Sequence, residues 1–214
     1  MSELFSEIDE DLRRDQLKKL WDRYSLHFIA LIVLIVVGVG GWRAYQYFEN
    51  QKAEAAGKAF EAAVALTDPA QAQAAFDKIA SSNAQGYGAL ARLHAAAEAA
   101  KQDSKKGVAA FDAIANDRNA AASIREIARL RAAGLMLDTA PYDEIEKRLS
   151  DEASGTHTFR HSARELLALS AWRAKNTDAA RRWLDMIGDD PQSPATLRRR
   201  AEALLALLPP AAKS

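Results

Sequence analysis

The chain has no cysteine among its 214 residues. That excludes disulfides, thiol nucleophiles and cysteine metal sites, while an oxidising compartment stays permitted. It also lacks an excess of charge. From Arg43 to Ser214 there are 24 Lys/Arg and 22 Asp/Glu, so no net field draws nucleic acid or anionic lipid to that region. Catalytic signatures are missing too: no G-x-S-x-G elbow, no phosphate-cradling glycine loop and no H-E-x-x-H. No enzyme, cofactor, metal or small-molecule substrate is therefore expected. Glycine is scarce, and valine and isoleucine cluster within residues 24–42. Elsewhere no stretch alternates apolar and polar residues with strand periodicity, so no sheet is expected.

What the chain does have is one long apolar run. The nineteen residues Tyr24 to Trp42 carry no charge and are bracketed by Arg23 and Arg43. As a helix rising about 1.5 Å per residue, this run crosses a hydrocarbon core of roughly 30 Å. Phe28, Leu31, Ile35, Val39 and Trp42 are the expected residues of the membrane anchor. A buried core helix rarely runs this far without an outward polar residue. A cleaved signal is a second alternative, with Gly38-Val39-Gly40 as a loose small-x-small site. The heavily acidic leader is unlike a signal n-region, and Trp42 and Tyr45 sit where an aromatic belt holds a permanent span. A retained anchor is the better reading.

Lys and Arg near the span indicate orientation. Five precede it (Arg13, Arg14, Lys18, Lys19, Arg23) and three follow closely (Arg43, Lys52, Lys58). This bias favours a cytoplasmic N-terminus. In the leader, Leu4, Ile8, Leu12, Leu17, Leu20, Trp21 and Tyr24 form a rough helical stripe. It reads as an interfacial helix ahead of the span, with docking on a cytoplasmic partner as the alternative.

Beyond the span, alanine and leucine dominate, as in helices, and the chain repeats itself. Ala74-Ala75-Phe76-Asp77-Lys78-Ile79-Ala80 recurs as Ala109-Ala110-Phe111-Asp112-Ala113-Ile114-Ala115, 35 residues later. The segment Ala180 to Ile187 has the same character, with Trp183 following Phe111 by 72 residues, and Tyr142 to Leu149 fits as a degraded copy between them. Ala91-Arg92-Leu93, Ala128-Arg129-Leu130 and Ala163-Arg164-Glu165 begin corresponding turns of a second family, at separations of 37 and 35. A period near 35 with two short helices per unit is tetratricopeptide-like spacing. One helix pair cannot bury its apolar face alone, but stacked pairs share a core. Phe76, Phe111 and Trp183 are the expected bulky residues between pairs. Breakers fall at Asp68-Pro69, Ser81-Ser82-Asn83, Ala140-Pro141, Lys175-Asn176 and Asp190-Pro191. Pro194 to Leu208 reads as a capping helix, ended by Pro209-Pro210. The expected fold is all-α: a single N-terminal transmembrane helix, then a solenoid of about four helix pairs. The expected domains are a cytoplasmic segment 1–23, a span 24–42, a repeat domain 43–208 and a disordered tail 209–214.

A few polar residues raise other possibilities. His157 and His161, four apart, would share a helix face as metal ligands. No carboxylate continues that pattern, so solvated histidines are the better account. His27 reads as a polar tip reaching the headgroups. Arg198-Arg199-Arg200 reads as the wet face of the capping helix.

The apolar span ending in Gly41-Trp42-Arg43, the alanine-rich helix with Phe60 and Ala63, and then Tyr87-Gly88-Ala89-Leu90-Ala91 resemble the bacterial ancillary subunit family of the SecYEG translocon. The resemblance implies a single-span inner-membrane protein with a periplasmic tetratricopeptide-like domain. It also implies an adaptor whose partners are SecYEG and periplasmic chaperones receiving exported chains. Other classes are an envelope-stress or cell-division regulator using the same groove, and a membrane-bound hydrolase, which has almost no residue support. Protease added to spheroplasts should digest the region after Trp42 and spare a short N-terminal fragment. Protection of the large domain would reverse this topology.

Overall fold

The computed structural model describes the backbone of residues 2–82 and 86–209, and their side chains except for residues 2–17, 19, 20 and 22. The leader stripe from Leu4 to Leu20, Asn83 and the expected tail beyond Pro209 lie outside these described side chains and residues. Among the described residues there are nine helices and no strand. The chain divides into two units, Met1–Lys52 and Ala53–Ser214, each taken separately below.

The first unit lies within helix α1 (Ser2–Val64). This is the one helix among the described residues that is long and apolar enough to cross a membrane, and none of its most apolar window is buried. Leucines, isoleucines and valines from Leu26 to Val39 are all more than half exposed. Helices apolar all round occur in protein cores and as membrane spans, and by length and composition this one could be a span.

The second unit begins with the last turns of α1 and continues through α2 (Pro69–Ser81), α3 (Tyr87–Gln102), α4 (Ser104–Ala115), α5 (Ala122–Met136), α6 (Tyr142–Ala153), α7 (Arg160–Arg173), α8 (Thr177–Gly188) and α9 (Ala195–Leu207). Their boundaries follow from local chemistry. Asp68 caps α2 by accepting the Gln71 N–H at 2.9 Å, with Pro69 in the first turn, where its missing N–H costs nothing. Asn176 caps α8 by accepting the Ala179 N–H at 3.1 Å, after Lys175 takes a left-handed φ of 60°. The α3–α4 turn carries no proline or glycine and is a single residue. Asp103 ends α3 and caps α4, accepting the Lys105 N–H at 2.9 Å.

The even-numbered helices repeat one burial pattern. Their fourth, eighth and eleventh residues are buried: Ala72, Phe76 and Ile79; Gly107, Phe111 and Ile114; Ile145, Leu149 and Glu152; Ala180, Leu184 and Ile187. This is the i, i+4, i+7 stripe of an amphipathic helix. Phe76 and Phe111 hold the eighth position. In α8 that position belongs to Leu184, and Trp183 stands one residue before it. Trp183 is also buried, but its Nε1 donates to the Tyr142 hydroxyl of α6 at 3.0 Å. Its bulk and the 72-residue spacing pointed to the repeat position; the helix start places it one residue away, facing α6.

The odd-numbered helices pack on two sides. Ala91 and Ala95 of α3 join Ala56, Ala63, Ala72, Phe76 and Ile79 in a first cluster, while neighbouring Ala96 joins Phe111, Ile114, Ala115, Ala128 and Ala132 in a second. In α5, Ala132 belongs to that second cluster and Ala133 to the third, which runs on through α6, α7, α8 and α9. The core is thus a chain of clusters handed from pair to pair.

α3 and α4 approach closely at Gly107, where an added Cβ would stand 2.3 Å from the Ala100 Cβ and 2.6 Å from its Cα. Gly107→Ala should therefore destabilise the domain by roughly 1–3 kcal/mol through overpacking, despite alanine's better helix propensity of about 1 kcal/mol. Phe111→Ala should cost roughly 3–5 kcal/mol. Urea unfolding followed by helical circular dichroism reads both. A Gly107→Ala protein as stable as the parent would mean that α3 and α4 are further apart than described.

Candidate functional site

Phe28, Leu31, Ile35, Val39 and Trp42 recur at intervals of three and four along α1, so they share a face, and each is more than half exposed. His27 is exposed on the same helix, its ring centroid 6.4 Å from that of Tyr24. In the second unit, Phe76 and Phe111 are nearly inaccessible, and the Phe60 ring meets Phe76 edge-on at 5.2 Å.

The recurring Ala-Arg pairs of the odd helices have a common task. Ala91, Ala128 and Ala163 are fully buried, and the arginine after each reaches the C-terminal end of an even helix. Arg92 Nη1 lies 2.6 Å from Asp117 Oδ2, just past α4. Arg129 Nη1 donates to the Ala115 carbonyl at the end of α4 and pairs with buried Glu152 near the end of α6. Arg164 donates to the Ala153 carbonyl ending α6 and the Met186 carbonyl near the end of α8, both at 2.9 Å. A cation at a helix C-terminus satisfies orphan carbonyls and opposes the negative end of the dipole.

His157 and His161 do not form the pair that their spacing suggested. α7 starts at Arg160, leaving His157 in the preceding turn, its Nδ1 3.3 Å from Glu126 Oε1. His161 is buried rather than solvated, and its Nε2 lies 3.7 Å from Asp190 Oδ2. That carboxylate also accepts from Arg160 at 3.0 Å and Arg164 at 3.1 Å. No grouping of three His, Asp or Glu side chains fit to hold a metal is present among the described residues. Of the three consecutive arginines in α9, Arg199 and Arg200 are exposed, and Arg200 pairs with Glu165 of α7 at 2.8 Å.

A concavity runs over α5 between α3 and α7. A cavity of about 720 Å³ is lined mainly by apolar groups, including Phe111, Ile127, Leu130, Leu135, Phe159 and Leu166, with Lys101, Arg131 and Glu165 as its charges. A second, of about 460 Å³, reaches Phe76, Leu90, Leu93 and His94 and shares Ala97, Lys101, Phe111, Ile127 and Arg131 with the first. Both volumes lie in the range of ligand-binding clefts, and the shared wall makes them one groove. Of the bulky repeat residues, Phe76 and Phe111 reach this groove and Trp183 does not. Sequence reading missed Arg131, Gly134 and Phe159. An isolated glycine inside the alanine- and leucine-rich α5 was the available signal.

Stacked helix pairs around an open apolar groove define a class of scaffold that binds other proteins along its length. The tetratricopeptide repeat-like domain model matches residues 18–182, and the chain belongs to that family. Domains of this kind are generally non-catalytic protein-interaction modules. No curated protein and no solved structure matches the chain.

Acid should weaken the second unit in two steps. Burial first, and Arg160 beside it, push the His161 pKa down, so on acidification through about pH 6.5 the unfolded chain takes up that proton before the folded one does. The hydrogen bond from Arg160, then that from the Gln192 N–H, hold Asp190 well below the usual carboxylate range. Its stabilising contribution is present above about pH 4 and is lost as pH falls towards its folded pKa. His161→Gln should remove only the first step, read as the urea midpoint between about pH 7.5 and 5.5. An unchanged dependence would mean that His161 titrates normally.

Proposed function

We propose that this protein is a bacterial inner-membrane adaptor, anchored by residues 24–42 with its N-terminus in the cytoplasm. Its repeat domain would bind proteins at the periplasmic side of the Sec translocon and pass exported chains to periplasmic chaperones. The observation that carries this reading is the pairing on one chain of a fully exposed apolar helix with a repeat domain that presents an open apolar groove. The resemblance at Gly41-Trp42-Arg43, Phe60, Ala63 and Tyr87 to Ala91 supports the translocon as partner. The Lys/Arg bias across the span supports the orientation. The domain assignment that follows is a cytoplasmic segment 1–23, a span 24–42 and a repeat domain 43–208.

A tether raises the effective concentration of the domain beside other membrane complexes, so weak contacts become useful without added interface. The full chain solubilised in mild detergent should co-purify SecYEG components or periplasmic chaperones. A version with Leu26 to Val39 replaced by an unrelated apolar span should capture them equally if the span only anchors, and poorly if the span is itself a contact. Retention of neither partner class by the full chain would end the adaptor reading. Recovery of a sensor kinase or division complex instead would establish a regulator.

A further inference from the structure

The groove contains a glycine that the fold does not require. Gly134 lies two residues before the end of α5, and its φ lies outside the left-handed range. An added Cβ there would have nothing within 4 Å. Glycine at such a site costs about 1 kcal/mol of helix propensity relative to alanine, and no close packing offsets that cost. Gly107 is the contrast, since it is held against Ala100. The open space above Gly134 belongs to the groove.

The groove's charges are also uneven. Lys101 is paired with Glu98 at 2.7 Å, and Glu165 with Arg200 at 2.8 Å. Arg131 is exposed, lines both cavities, and has no carboxylate within ion-pair distance among the described residues. A lone guanidinium amid apolar walls favours a carboxylate, which it can grip with two parallel hydrogen bonds.

We propose that the groove over α5 binds an apolar segment of a partner protein carrying one carboxylate, which Arg131 pairs while a bulky apolar side chain seats over Gly134. This deepens the adaptor reading and rests on it in taking the occupant to be a protein.

The test uses the full chain in lipid nanodiscs and two fluorescein-labelled synthetic peptides. Their sequences are SLFALEALFSLG and the same peptide with lysine in place of glutamate. By fluorescence anisotropy the glutamate peptide should bind at least about tenfold tighter. Arg131→Glu should reverse that preference. Gly134→Leu should weaken binding of the glutamate peptide by about tenfold or more without lowering the melting temperature, whereas Gly134→Ala should raise that temperature. Equal binding of the two peptides, binding of neither, or full binding by a folded Gly134→Leu protein would each overturn the proposal. Membrane capture separates the two readings. If Gly134→Leu still captures the translocon or chaperones, the groove proposal fails and the adaptor reading stands. If the unsubstituted chain captures neither, the adaptor reading fails whatever the peptides do.

Discussion

Two-sided packing of the odd helices is the constraint on which the repeat domain depends. A helix in the middle of the stack must meet one neighbour with Ala95 or Ala132 and the next with the adjacent Ala96 or Ala133. Large side chains on both faces would hold the helices too far apart for either contact to close. Alanine loses no side-chain freedom on folding and favours the helix, but it buries little apolar area. The larger residues at the eighth position of each even helix, Phe76, Phe111, Leu149 and Leu184, therefore supply most of the bulk between pairs. At Gly107 the approach is so close that even alanine is too large.

Packing of small residues tolerates sliding, and the arginines after Ala91, Ala128 and Ala163 restrict it. Arg129 and Arg164 each touch the C-terminal ends of two successive even helices. Each thus fixes one pair relative to the next at points where backbone carbonyls would otherwise be orphaned. Arg164 is buried, and it shares Asp190 with Arg160 and with His161 close by. Burying this charge is tolerable because its carbonyl and carboxylate acceptors surround it. Glu152 is the matching case, a carboxylate at a position filled by isoleucine in the other three copies and compensated by Arg129.

These constraints leave a surface as well as a core. The even helices turn their stripes inward, and the odd helices α3, α5 and α7 carry the groove. Because α5 is in contact with both α3 and α7, one groove can extend across several pairs. That is the geometry that lets a repeat protein hold an elongated partner. If the long apolar helix of the same chain is the anchor proposed above, it would confine such binding to the vicinity of a bilayer.

Much of this was legible in the sequence, because helical period and the length of an apolar run are local properties. An uncharged run from Tyr24 to Trp42 needs only length and composition to be recognised, and the recurrence of Ala-Ala-Phe-Asp after 35 residues needs only self-comparison. The all-helical class and the capping helix followed from these. Register did not. Trp183 and Leu184 are adjacent and both apolar, and only the start of α8 after Asn176 decides which meets the position of Phe76 and Phe111. The one-residue turn at Asp103 carries no glycine or proline to announce it. The fate of His161 depended on Asp190, which reaches it from beyond α8, so spacing alone read it as solvated. The groove was hidden for the same reason. Lys101, Arg131 and Glu165 look alike as charged residues of amphipathic helices. The first pairs with Glu98 three residues earlier in its own helix, but only tertiary packing supplies Arg200 to the third and leaves the second facing the groove. The sequence by itself determined which segments are helical, which one is long and apolar enough to cross a membrane, and that the rest must stack. Tertiary structure decided which side chains meet, because a contact between helices depends on distances that no single helix contains.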